Sequence, residues 1–129
     1  VNNICLTDQE TVESVHLIVA GTGQMRKPRF GGDIVFDFHT TDGLVTIEFI
    51  FIASVMYFHE VFARKETYPY IDYLKEYGLF ECLGSSYLER FISDEGALFT
   101  NHRHFGHIDD SEYFWNIIAK DIKVTRSSA

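Results

Sequence analysis

The segment "DIVFDFHTTDGLVTIEFIFI", residues 33–52, constrains this chain more than any other. Ile34, Phe36 and Phe38 alternate with Val35, Asp37 and His39. Beyond Asp42-Gly43 the pattern returns as Val45, Ile47, Phe49 and Phe51 against Thr46 and Glu48. Side chains two apart on a strand share a face, so two apolar rows meet on one side when the chain folds back. Glycine after aspartate supplies the positive φ that a tight hairpin needs. The segment therefore predicts an antiparallel hairpin turning at Asp42-Gly43, with a single apolar face. A slip of one residue would turn Glu48 inward and the phenylalanines outward, so the register is as constrained as the pairing.

The longest apolar run, Leu44 to Phe58, contains Thr46 and Glu48 and falls short of the about 20 residues of a membrane helix. It reads as strand, and the chain as soluble. Upstream, "TVESVHLIVA" (11–20) alternates as a strand, with a short helix over Asp8 to Val15 as the competing reading. "GTGQMRKPRFGG" (21–32), with four glycines and a proline, reads as a loop. Downstream the period changes. Pro69 suits a first helical turn and Gly78 a stop, which predicts a helix with Ile71 and Leu74 facing inward. "LFECL" fits a short strand. "SSYLERFISDEG" carries a capping box between Ser86 and Glu89, starting a second helix that ends near Gly96. "ALFTNHRHFGHI", "DDSE" and "YFWNIIAKDIKV" form a second antiparallel hairpin, and "TRSSA" a loose tail. The expected architecture is a single α+β domain over residues 1–124 with a tail at 125–129. Its mostly antiparallel sheet is built from two hairpins, with two short helices packed on one face.

Length and charge limit the function classes. The 129 residues suit one domain, and 46% hydrophobic residues with 12 Phe and 7 Tyr supply a core. A formal net charge of −8 argues against nucleic-acid backbones and anionic membrane surfaces, and suits a basic protein partner. Cys5 and Cys82 match no metal-ligand spacing; a disulfide between them stays open, and two unpaired thiols fit a reducing, cytoplasmic setting better. The first ten residues lack the basic and apolar regions of a signal peptide.

The densest chemical stretch is "NHRHFGHIDD" (101–110). On a regular strand His102 and His104 project together, a spacing that supports two metal ligands. A bulge at Gly106 would add His107 and Asp109 to that side and leave a coordination position open for water. Without the bulge these are polar strand residues beside an acidic tip. "HRHFGH" resembles the HxHxDH motif of metallo-β-lactamase-like hydrolases, with Gly106 where that motif has aspartate. "GALFTNHRH" resembles the first cupin motif, with no second motif downstream. No intact dinucleotide, P-loop or nucleophile-elbow motif is present, so no cofactor is implied. A buried Trp115 would need a partner for its N–H.

The phrase "hydrophobic-E-x-x-x-S-x-x-L", here Phe80-Glu81 to Ser85-Leu88, and a closing hairpin "HF…D…IIA" resemble small bacterial immunity proteins of polymorphic and contact-dependent toxin systems. The resemblance covers roughly residues 33 to 124. It implies a cytoplasmic protein that binds one toxin domain without catalysis. On charge, the expected contact residues for a basic, nuclease-like partner are Asp94, Glu95, Asp109, Asp110 and Glu112, two acidic loops at one end of the sheet. The metal-binding alternative rests on His102, His104, His107 and Asp109.

Overall fold

The computed structural model describes residues 3–5, 14–21, 23–26, 34–62, 68, 71, 74, 78–95 and 101–127. Eight strands run β1 (Asn3–Cys5), β2 (Ser14–Val19), β3 (Gly23–Arg26), β4 (Val35–Thr40), β5 (Gly43–His59), β6 (Leu79–Leu83), β7 (Arg103–Ile108) and β8 (Tyr113–Ser127). Helix α1 (Ser86–Glu95) joins β6 to β7, and a 3₁₀ turn (Glu60–Phe62) follows β5. The strands form one antiparallel sheet in the order β1-β2-β6-β7-β8-β5-β4-β3. Among the described residues no helix is long and apolar enough to cross a membrane.

That order forces the sheet to curl. β2 and β3 stand six places apart, which in a flat sheet at about 4.8 Å per strand would separate them by roughly 29 Å. The chain from Val19 to Gly23 spans at most about 14 Å. The flanks must therefore bend toward each other. The Gly23 N–H accordingly donates to Nε2 of His107 on β7 (3.1 Å), four strands away along the sheet. Gly78 completes the seam. Its φ is +110°, and a Cβ there would lie 2.2 Å from the Val19 carbonyl oxygen, so only glycine lets the two backbones meet.

Each face of the sheet carries its own core. Inside the curl, Phe36, Phe38, Ile47 and Phe49 from the first hairpin pack with Phe105, Trp115 and Ile117. On the other face, Phe80, Cys82 and Phe114 pack with Tyr68, Ile71 and Leu74, and Tyr87 of α1 lies against them. β7 and β8 are consequently buried on both sides, which explains an apolar run from Phe114 to Ala119 interrupted only by Asn116.

The first hairpin has the predicted register, with Phe36 opposite Ile47 and Phe38 opposite Val45. Two details differ. The turn residues are Thr41 and Asp42, held by the Thr40 hydroxyl, and Gly43 already opens β5 with φ +125°. Phe51, expected on the core face, is 73% exposed with φ +51°. The positive φ of Phe51 itself breaks the alternation, so that Ile52 packs on the inner core, and a register irregularity follows between Ile52 and Ser54.

The larger expectation, two hairpins carrying two helices on one face, is overturned. Strand dominates, in one sheet that also takes in β1, β2, β3 and β6. The pairings β2 with β6 and β5 with β8 join distant segments, which local patterning does not reveal. Part of the supposed glycine loop is strand β3. Ile71 and Leu74 are helical and buried, but most of the Pro69–Gly78 segment lies outside the described residues. The helix cap is Ser85, whose Oγ accepts the Leu88 N–H (3.0 Å), one residue before the expected Ser86. Thr125, Arg126 and Ser127, assigned to a loose tail, pair with β5.

Candidate functional site

β7 distributes the histidines instead of gathering them. Its register with β6 and β8 is continuous through Gly106, so the bulge that a three-ligand site required does not form. A Cβ at Gly106 would lie 3.0 Å from Leu74 Cδ1, so the glycine serves packing. His104 and His107 point to opposite faces. His102 precedes the strand and lines an open cleft of about 360 Å³ with Phe51, Ile52, Ala53 and Lys120. Among the described residues no group of three His, Cys, Asp or Glu side chains is placed to hold a metal ion.

His104 is fully buried between Ser85 and Asn116. Its Nδ1 lies 2.7 Å from Ser85 Oγ and its Nε2 lies 2.7 Å from Asn116 Oδ1. Because an amide oxygen only accepts, Nε2 carries the hydrogen and Nδ1 receives the serine hydroxyl. Burial pushes the His104 pKa down to about 4, against the opposing Asn116 bond. Tyr87 stacks on the ring at 4.8 Å. The Ser–His–Asn order resembles an activated-serine relay. Yet Ser85 Oγ also caps α1, and the residue is only 4% exposed. The chain of bonds ties the helix to β7 and β8.

His107 occupies the inner face. Phe36 and Phe38 pack edge-on against it at 5.2 and 5.0 Å. Burial pushes its pKa down to about 4, opposed by the Gly78 backbone and by the Asp109 charge. Accepting the Gly23 N–H uses a lone pair on Nε2, so the neutral ring makes this bond. The two buried histidines are thus internal connectors.

Of the acidic residues picked from sequence, Asp109 is similarly engaged. Its Oδ1 accepts the Ser111 and Tyr113 N–H groups (2.9 and 3.0 Å), and its Oδ2 accepts Trp115 Nε1–H (2.8 Å). The β7–β8 turn closes over Asp110, Ser111 and Glu112, with Glu112 at φ +65°. Asp110 and Glu112 are exposed, and Glu112 lies 3.7 Å from His59. Asp94 is exposed near the end of α1, whose cap lies at the opposite end of β7 from this turn. The side chain of Glu95 lies outside the described residues. Elsewhere, Arg103 forks onto Glu81 (2.7 and 2.8 Å) and reaches Asp121 (2.8 Å).

Sequence reasoning missed the aromatic surface beside the turn. Tyr57 stacks on Trp115 at 4.4 Å and 16°, and Tyr113 adjoins it at 5.9 Å. Tyr57 and Tyr113 are 57% and 38% exposed. The available signal was a tyrosine on each strand near an acidic tip, but the long-range β5–β8 register that joins them is not written locally. Ser85 entered the sequence reading only as the serine of the phrase running from Phe80 to Leu88.

Comparison with protein-family models, curated proteins and solved structures gives no match to this chain. Its functional reading therefore rests on the geometry above.

Proposed function

We propose that this chain is a small acidic binding protein of the immunity type, which docks on a basic, nuclease-like toxin domain in the cytoplasm and carries no catalysis of its own. One observation carries the reading. Ser85, His104, His107 and Asp109 are bonded into the fold, while Asp110, Glu112, Tyr57 and Tyr113 stand at the surface of one hairpin end. Exposed tyrosines beside carboxylates suit a protein interface: the aromatic rings provide contact area, and the acids steer a basic partner. The net charge of −8 adds long-range attraction of the same sign. The buried thiol of Cys82, which forms no disulfide, fits a reducing compartment.

Coexpression with basic nuclease toxin domains tests the proposal. One domain should be suppressed, with association slowing as salt rises and slowing again in Asp110→Lys/Glu112→Lys. Suppression that neither salt nor charge reversal affects would assign the contact elsewhere. Failure against every domain of a broad panel would reject the immunity reading.

A further inference from the structure

β5 is much longer than its partner β4. Beyond Phe49, whose N–H reaches the Ile34 carbonyl, the described residues provide a partner for β5 only on its β8 side. From Ser54 to His59 one edge of the strand is therefore open among the described residues. β8 has a similar open stretch beyond Ala119, but it carries Lys120, Asp121, Lys123 and Arg126. Charges of this kind guard a free edge against pairing. Among the described residues the β5 edge has no such guard, because residues 50–58 include no charged side chain.

Exposure singles out the same strip. Of eight exposed large hydrophobic residues among those described, six lie between Phe51 and Phe62, which marks one surface instead of scattered side chains. Val55, Met56 and Tyr57 are 37%, 43% and 57% exposed, while Trp115 and Ile117 opposite them on β8 are buried. The backbone distortion at Phe51 and Ala53 limits the regular free stretch to about Ser54–His59.

We infer that this edge pairs antiparallel with the same edge of a second copy, giving a two-fold dimer with a continuous sheet. Charge chooses the occupant. A basic partner would find its carboxylates on the β7–β8 turn, not on this neutral strip. Two copies at −8 meet the least local repulsion along a strip without charge. The strip is also self-complementary. In a two-fold register centred on Met56, Val55 of each copy meets Tyr57 of the other, an apolar–aromatic cross-strand pair.

Tyr57 also belongs to the toxin-facing surface, so the two bindings compete for it, and salt separates them: screening weakens attraction to a basic partner but strengthens self-association of an acidic chain. Sedimentation across a concentration series should show the monomer mass of 14.9 kDa rising to twice that value, with a tighter dimer at higher salt. Amides of residues 54–58 should gain protection from hydrogen exchange as concentration rises. Val55→Lys, at an exposed position, should weaken the dimer at least about tenfold, with native Trp115 fluorescence showing that it is folded. A monomer throughout the millimolar range, a dimer that salt dissociates, or a dimer that Val55→Lys leaves unchanged would each overturn it.

Discussion

The Trp115 indole donates its Nε1 hydrogen to Oδ2 of Asp109 at 2.8 Å, across the turn joining β7 to β8. The same carboxylate receives two backbone N–H groups through its other oxygen. One side chain thus closes the turn and satisfies the only tryptophan in the chain. Asp109→Ala leaves these three donors without their acceptor and should cost about 2 to 4 kcal/mol in denaturant titration. Asp109→Asn, which keeps one acceptor oxygen, should cost less.

Glu112 sits at φ +65°, where a side chain costs about 1 kcal/mol or more and glycine does not. Its contact with His59 is exposed and contributes little. Glu112→Gly should therefore stabilise the fold by about 0.5 kcal/mol after the entropy of glycine in the unfolded chain is counted. A thermal midpoint raised by a few degrees is the expected reading. A lower midpoint would show that the carboxylate matters more than the backbone.

Phe49 is 2% exposed within the inner core, and Phe49→Ala should cost about 3 to 5 kcal/mol. Thr46 lies on the other face of the hairpin, with its hydroxyl donating to Asp37 at 2.8 Å. Thr46→Ala should cost only about 1 kcal/mol. Equal losses would mean that the outer face of β4 and β5 is covered as fully as the inner.

Both buried histidines have pKa values of about 4 in the fold against 6.5 when unfolded. The folded state then binds fewer protons than the unfolded state between these values. Stability is fully present above pH 6.5 and declines as pH falls toward 4, by about 2 to 4 kcal/mol for each histidine. Denaturant midpoints at pH 7.5, 6, 5 and 4 should fall progressively. His104→Gln should flatten the decline although it lowers stability at pH 7.5. A decline of undiminished slope in that variant would place the acid sensitivity in other groups.

Local pattern made the β4–β5 hairpin legible because both strands, their turn and their alternation lie within about twenty residues. The second hairpin and the strand at Leu79–Leu83 were legible for the same reason. The need of Trp115 for a partner could be stated, but not that Asp109 would meet it. The histidines misled because strand spacing fixes which residues share a face, not which faces are buried. His104 and His107 became interior groups only when the sheet gained a core on each side. Phe51 escaped because its own positive φ breaks the alternation, which residue spacing does not show.

The Gly23–His107 bond joins residues 84 apart in the chain. A contact with that separation is late in any folding sequence, because the loop it closes must be ordered before the bond stabilises anything. The β4–β5 hairpin can form locally within microseconds, but the seam at Val19–Gly23 awaits assembly of β6, β7 and β8. In a partly folded chain the sheet is therefore open along the seam, with the aromatic interior accessible between its flanks. Amides of Gly23 and the following strand would be the first to exchange when the native protein opens.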